Sequence, residues 1–519
     1  MVFCYHFLMR VVLNVALLSV LLLHQLSAAV RCESLSTMRL LNTTITTSQP
    51  ITDGSFGQIT DLPPFCRVAG EIRPTTDSQI RFELWLPLKN WNRKFAGVGN
   101  VGFAGYVMYP QLSGQLRRGY ATGSTDTGHS LTGEGPNTDA VSFALGHPER
   151  LTDFAYRAVH EMTVASKALA ASFYGTPVKH SYWIGGSTGG RQGLMEAQRF
   201  PADYDGIIVG APPITLTRYW LGQLDAGLAV SMNADHNLTT PALSLLHAAV
   251  IAACDRDDGV ADGLLEDPRT CTFDPSALQC ASNQVSSGCL TTGQVEAARR
   301  IYRGLKHPIT GATIFPGSAR GSEPFWGNLF PGGSPHPVAI SYFRYLVFED
   351  TNWNWKTFDF RSPANYEAFL KSESRLARLN ATDPDLRAFR RRGGKILHWQ
   401  GWSDERVSPQ SSIDYYDSVL AFFAAGRRDR GATLRDVQSF YRLFMEPGAA
   451  HGSGPNTFDM EPALEQWVEH GIPPETVVAT HSTNGVVDRS HPLCPYPEIA
   501  VYNGIGDTNN AASFACRER

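Results

Sequence analysis

The chain has 519 residues, a formal charge of −4, 18% charged and 43% hydrophobic residues. That length supports a large buried core, and the charge balance offers no basic excess for nucleic acid and no like-charge run for an interaction tail. Aromatic residues make up 11%, with ten Trp, enough to line a pocket.

The first stretch, MVFCYHFLMRVVLNVALLSVLLLHQLSAA, sets Arg10 before the apolar run Val11 to Leu23 and ends on Ser27-Ala28-Ala29. A charge, a short apolar run and small residues read as a secretory signal peptide over residues 1–29, cleaved near Ala29. The run is short for a membrane span, and no later stretch is apolar enough to be one. The chain is therefore expected to be secreted, extracellular or periplasmic, with no membrane partner. Of nine cysteines, Cys4 leaves with the leader. The remaining even set, in an exported chain, reads as disulfides. Nearest-neighbour pairing joins Cys32 to Cys66, Cys254 to Cys271, Cys280 to Cys289 and Cys494 to Cys516. Sequons at Asn42, Asn237 and Asn380 would carry glycan in a eukaryotic secretory pathway.

Along the mature chain, IRFELWLPL (Ile80 to Leu88) alternates like a strand. RKFAGVGN runs as a strand into a glycine-rich turn, and GYATGSTD begins another. PERLTDFAYRAVHEMTVASKALAASFYG has helical periodicity and stops at Gly175. KHSYWIGG is a strand, GRQGLMEAQRFP a helix, and YDGIIVGAPP a strand closed by prolines. Strand–helix alternation predicts a mostly parallel sheet covered on both faces, an α/β class. From about Ile214 to Arg392 the alternation fades, and KILHWQGWSD and SFYRLFMEPGAAH then restore it. The reading is an α/β core in two parts, 30–213 and 393–519, with a lid inserted over 214–392 at the carboxyl edge of the sheet.

The stretch YWIGGSTGGRQG holds G-x-S-x-G around Ser187, with a strand before it and a helix after it. That is the context of a nucleophile elbow, which raises a serine above the sheet at a helix N-terminus. A serine nucleophile needs a base, and the base an orienting acid. Asp404 and His451 each follow a strand, in the order serine, acid, histidine, so Ser187, His451 and Asp404 are the candidate triad. His398 and His129 are weaker candidates for the base. Oxyanion donors are expected from the N–H of Thr188 and from the glycine-rich loop Gly97 to Gly105, at Gly102 with Val101 next to it. Trp399, Trp402, Phe325 and Trp326 are candidates for an aromatic acyl pocket. A catalytically dead, binding-only relative would have lost a triad member, and none is missing here.

CDRDDGVADGLLEDPRTC puts Asp255, Asp258 and Asp262 in one glycine-containing loop. Clustered carboxylates repel unless a cation neutralises them, and hard oxygen ligands suit calcium. The carbonyls of Val260 and Leu264 would complete an alternating set. The expected ion is structural calcium, with no organic cofactor.

The blocks YATGSTDTGH, GSTGGRQGLMEAQRFPADYDGIIVGAPP, CDRDDGVADGLLEDP, HWQGWSDERVSP and HGSGP resemble the tannase/feruloyl esterase family of α/β-hydrolases, which includes mono(2-hydroxyethyl) terephthalate hydrolase. The resemblance covers nearly the whole mature chain. It implies an α/β-hydrolase core with a calcium-bearing lid, and hydrolysis of esters of gallic, hydroxycinnamic or related aromatic acids, small or linked to polysaccharide or polyphenol. It carries triad roles onto Ser187, Asp404 and His451, and calcium ligation onto Asp255, Asp258, Val260, Asp262 and Leu264. A general carboxylesterase, a terephthalate-monoester hydrolase or a peptidase are alternatives on the same fold. One departure stands out. The family usually has Cys directly before the serine and directly after the histidine, joined by a disulfide, and here those positions are Gly186 and Gly452. The loss of both together predicts a less tightly tethered His451 loop.

Overall fold

The computed structural model describes residues 30–130, 139–231, 233–281, 288–426 and 429–518. The signal peptide expected at 1–29 lies outside them. A nine-stranded sheet forms the centre. Its strands are β1 (Thr43–Ile51), β2 (Phe65–Ile72), β3 (Ile80–Pro87), β4 (Lys94–Val98), β5 (Ala121–Thr125), β6 (His180–Gly186), β7 (Gly206–Gly210), β8 (Lys395–Gly401) and β9 (Tyr441–Glu446). Their spatial order is β1-β2-β3-β5-β4-β6-β7-β8-β9. From β5 to β9 every neighbouring pair is parallel, while β1 to β3 and the β3–β5 pair are antiparallel.

Parallel strands are covered on both faces, and the central strand β7, GIIVG, is apolar throughout for that reason. In β7, Ile207 and Val209 join one core with Trp183 and Leu194, while Ile208 joins the opposite core with Tyr182, Leu397 and Phe444. The period of two thus sorts adjacent residues to different layers. On the first face lie α2 (Ala158–Tyr174), α3 (Thr188–Arg199) and α7 (Pro409–Ala424), through Met162, Leu194 and Tyr416 among others. The helix α1 (Tyr109–Arg117) packs Leu112 and Leu116 on Trp85 and Val98. The helical run expected before Gly175 forms, but in three parts. A short helix (Pro148–Thr152) and a π-turn (Asp153–Arg157) precede α2, which Gly175 ends with φ 67°.

Between β7 and β8 the chain builds a lid containing α4 (Leu216–Ser231), α5 (Thr240–Cys254) and α6 (Thr292–Arg303). The lid has a core of its own around Leu246, Val295 and Trp326, and a second cluster around Trp220, Tyr342 and Phe343 is shared with Phe103, Val141 and Phe154 of the main part. Its two ends meet where Ala381 N–H donates to the Ile214 carbonyl at 2.8 Å and Thr217 N–H donates to the Asn380 amide oxygen at 3.1 Å. These bonds tie the start of the inserted segment to Asn380 and Ala381. Ala381, Leu386 and Phe389 pack into the main core beside Ile396, because the connection must return to the sheet before β8 begins. The Asn380 side chain is engaged with Thr217 in this junction.

Four disulfides staple the fold: Cys32–Cys66, Cys254–Cys271, Cys280–Cys289 and Cys494–Cys516, all nearest-neighbour pairs. Among the described residues no helix is long and apolar enough to cross a membrane.

Candidate active site

β6 ends at Gly186, α3 begins at Thr188, and Ser187 lies between them at φ 55°, ψ −125°. Few non-glycine residues adopt positive φ. The turn is held because Ser187 N–H donates to the Gly210 carbonyl at 2.8 Å, and Arg191 N–H donates to the Ser187 carbonyl at 3.1 Å. The flanking glycines make the close approach possible. A Cβ on Gly185 would sit 2.3 Å from the Gly189 oxygen, and one on Gly190 would sit 2.5 Å from the Gly210 oxygen. Gly186 is different, since a Cβ there meets only the Gly210 oxygen at 4.0 Å.

The loops after β8 and β9 bring Asp404 and His451 to this turn. His451 Nε2 lies 2.9 Å from Ser187 Oγ, and His451 Nδ1 lies 2.9 Å from Asp404 Oδ2. Asp404 is fully buried, and its carboxylate accepts from the backbone N–H of Arg406 at 3.0 Å and Val407 at 2.8 Å and from Gln400 Nε2 at 2.9 Å. Those donors keep a buried anion viable. Burial pulls His451 down, but the charge and hydrogen bond of Asp404, aided by the Glu405 charge, outweigh it and leave the imidazole above its ordinary value.

His129 and His398 take structural roles instead. His129 is buried, stacked on Phe143 at 3.6 Å and bonded to the Phe103 carbonyl at 2.9 Å, and burial pushes it down to about 4. His398 is enclosed beneath the site between the Tyr441 hydroxyl at 2.8 Å and Ser412 Oγ at 3.1 Å, with burial pushing it down to about 3. From Ser412 the network continues through Gln400 to Asp404.

Gly102 has φ 52°, and the Thr188 hydroxyl donates to its carbonyl at 2.7 Å, tying the glycine-rich loop to the start of α3. The same loop is fixed from behind. Asn100 N–H donates to Gln192 Oε1 at 3.0 Å, Gln192 Nε2 donates to Asn100 Oδ1 at 3.1 Å, and Asn100 Nδ2 donates to the Thr125 carbonyl at 2.8 Å. Ser187, Thr188, Gly102 and His451 open into one cleft of about 640 Å³, walled by Phe103, Tyr219, Trp220 and Trp399. Of the expected pocket aromatics, Trp399 alone lines this cleft. Trp402 and Phe325 line a separate cavity of about 340 Å³ behind the His451 loop, and Trp326 is enclosed in the lid. The sequence reading missed Phe103 and the adjacent pair Tyr219 and Trp220, which lie more than a hundred residues apart in the chain and give no local signal. It also missed Arg191, fully buried, whose guanidinium donates to the carbonyls of Ala155 at 2.9 Å and Leu379 at 3.1 Å. That side chain pins α3 to the π-turn and to the base of the lid, and burial pushes it down to about 9. Its place in the GGRQG block, four residues after Ser187 in the packed face of α3, is the signal that could have found it.

In the acidic loop Asp255, Asp258 and Asp262 each accept from local backbone. Asp255 takes the N–H of Gly263 at 2.8 Å, Asp258 those of Val260 at 2.9 Å and Glu266 at 3.3 Å, and Asp262 that of Leu264 at 3.1 Å. A carboxylate oxygen has a second lone pair, so these bonds shape the loop and leave capacity for a cation. The donor set is hard oxygen, as calcium prefers, but among the described residues the loop's carboxylates are not gathered to within ligand distance of one another, as those of His160, Glu196 and Asp203 are. Cys254–Cys271 closes the loop, and Glu266 docks it on His491 at 3.0 Å and Ala500 N–H at 3.0 Å.

The sheet, the elbow and the inserted lid define an α/β-hydrolase. Residues 66–517 match the family model described as tannase and feruloyl esterase. An uncharacterized esterase of Xanthomonas campestris pv. campestris is 36% identical over 550 aligned residues, covering 95% of this chain and 92% of that protein. A probable feruloyl esterase B-1 of Aspergillus flavus is 31% identical, covering 87% and 86%. The crystal structure of feruloyl esterase B from Aspergillus oryzae superposes with TM-score 0.83 at 28% identity over 94% of this chain and all of that one. The chain belongs to the tannase and feruloyl esterase family. It is a carboxylic ester hydrolase.

Two neighbouring glycines should respond differently to substitution. Gly185→Ala forces a backbone shift and is expected to cost about 1–3 kcal/mol, while Gly186→Ala leaves stability nearly unchanged. Denaturant unfolding of the two variants checks this.

Proposed function

We propose that the protein is a secreted serine esterase that cleaves esters of aromatic acids through Ser187, His451 and Asp404. The relay of 2.9 Å contacts from Ser187 to His451 to Asp404 carries this reading. His451 takes the Ser187 proton as Oγ attacks the ester carbonyl. The carbonyl oxygen becomes an oxyanion, held by the N–H groups of Thr188 and Gly102. Unpaired N–H groups at a helix start favour that charge, each donor contributing about 3 kcal/mol to the transition state. His451 then protonates the departing alcohol, and water attacks the acyl-enzyme with His451 again as base. Buried Asp404 holds the imidazole tautomer and balances the imidazolium charge.

The walls of Phe103, Tyr219, Trp220 and Trp399 suit a flat aromatic acyl group. Polysaccharide-linked or polyphenol-linked esters are the natural extension of that substrate class. A second reading, a terephthalate monoester, is favoured by Arg406, whose side chain lines the same cleft and would meet a free carboxylate. Export is supported by the four disulfides, which persist in oxidising compartments. Asp255, Asp258, Val260, Asp262 and Leu264 would hold calcium, which supplies charge neutralisation to the lid loop and takes no part in the chemistry.

Hydrolysis of methyl gallate, methyl ferulate, methyl p-coumarate, a terephthalate monoester and a short aliphatic ester tests the substrate class. An aromatic ester is expected to lead, and a flat profile or a lead for the aliphatic ester overturns the assignment. Ser187→Ala should lower kcat by roughly 10⁶-fold, and retained activity in folded protein rejects the mechanism. Because the base must be neutral and His451 is raised, kcat/KM should fall on acidification through a midpoint above the ordinary histidine value of about 6.5. Chelation should lower Tm and added calcium restore it, the ion contributing about 2.7 kcal/mol at a hundredfold excess over Kd.

A further inference from the structure

The loop bearing His451 is held by non-covalent contacts. Gly448 and Gly452 lie at φ 71° and 77°, and Gly454 follows two residues later. No covalent bond reaches the loop, since Gly186 and Gly452 flank the serine and the histidine and the four disulfides lie elsewhere. Backbone contacts hold its ends, with Ser403 N–H donating to the Ala449 carbonyl at 2.9 Å and Ala450 N–H to the Ser453 carbonyl at 2.7 Å. The backbone of His451 itself is met by a side chain. Glu405, only 4% exposed, accepts the His451 N–H through Oε2 at 3.2 Å. Its other oxygen, Oε1, accepts from Asn328 Nδ2 of the lid at 2.9 Å, and the Arg406 guanidinium stands 3.6 Å away.

We propose that Glu405 is the positioning residue for His451, a buried carboxylate that clamps the histidine loop to the lid in place of a covalent tie. This rests on the triad reading of the site. The chemistry of the contact favours a carboxylate. Buried Asp404 precedes it in the chain, so a second anion here is costly unless it is paired. Two N–H donors and one guanidinium supply that pairing. A clamp on the backbone N–H fixes the ring's origin, so Nε2 stays within reach of Ser187 Oγ while the ring alternates between neutral and charged. The lid end of the clamp, Asn328, closes the short helix Glu323–Asn328, so the register of the lid is passed to the base through one side chain.

Three charged groups act on the ring: Asp404 and Glu405 raise it and Arg406 opposes them. Beneath the loop, against Gly454, Glu446 is pushed up to about 8 by burial and is neutral through the acid range. Removing the Glu405 charge should therefore move the acid limb of the rate profile downward.

The test measures kcat and KM on a small soluble aromatic ester across pH for wild type, Glu405→Ala, Glu405→Gln and Asn328→Ala, with Ser187→Ala alongside. Glu405→Ala is expected to lose kcat by roughly 10- to 100-fold with KM little changed, and to speed hydrogen exchange in the His451 loop. Glu405→Gln keeps an acceptor for the His451 N–H, so it should recover most of the plateau rate with its acid limb at lower pH. Asn328→Ala should show a smaller loss in the same direction. Wild-type kcat and an unmoved acid limb in folded Glu405→Ala overturn the proposal. If that variant does not fold, an unmoved acid limb in Glu405→Gln overturns it. If Ser187→Ala retains activity, the triad reading itself fails; if it is dead while the Glu405 variants match wild type, only the role of Glu405 fails.

Discussion

The backbone of Ser187 is the constraint on which the active end of the molecule depends. A serine at φ 55°, ψ −125° stores of order 1–3 kcal/mol of strain, and it persists only because its surroundings over-determine it. The over-determination comes from register. β6 and β7 pair in parallel with Gly186 opposite Gly210, and that pairing carries the Gly210 carbonyl to the Ser187 N–H. The glycines at 185, 189 and 190 let α3 start directly against the strand ends, with no room for a side chain between them. A one-residue slip of β7 would remove the acceptor and put Ile208 into the wrong layer, so the two apolar cores defend the turn.

A second constraint is electrostatic. The site buries the Asp404 charge, and the cost is met by three donors on its own turn and strand before His451 is counted. Because those donors are fixed, the carboxylate is already oriented toward the His451 imidazole, and in the proposed mechanism little reorganisation is needed. The polar chain from Asp404 through Gln400 and Ser412 to His398 runs down into the sheet. It holds β8 and α7 at one spacing, a case in which a buried network specifies position as well as stability. The lid adds the rest of the environment. It contributes Tyr219, Trp220 and His336 to the cleft wall, and it is anchored by Arg191 from the nucleophile helix itself. Lid and elbow are therefore parts of one assembly.

Elements with their own period were legible from the chain. β3, β6, β7, β8 and β9 are apolar runs bounded by Gly, Pro or charged residues, and their alternation with helical stretches implied a parallel sheet. That Ser187, Asp404 and His451 are candidates to meet at one place was legible for the same reason, since each follows such a run and the glycines around Ser187 allow a sharp turn. The packing of the stretch before β8 was less legible. Ala381 to Arg392 is polar and punctuated like the lid before it, yet Leu386 and Phe389 face the main core. Burial there is decided by where the returning chain meets the sheet, which no local pattern records. The aromatic candidates divided in the same way. Trp399 lies on a strand that ends at the site, so its place followed from the sheet, whereas Trp402, one turn further on, points into a different cavity.

The sequence by itself determined the class of the fold, the elbow, the order of its chemical groups and the composition of the acidic loop, because each is written within a dozen or so neighbouring residues whose spacing controls backbone geometry. Only the tertiary structure decided which residues wall the cleft, that His129 and His398 are structural, and that Glu405 reaches both the lid and the His451 backbone. Those outcomes depend on contacts between segments tens to hundreds of residues apart. Such contacts are set by the packing of the sheet, the lid and the loops against one another, and a local pattern carries no record of them.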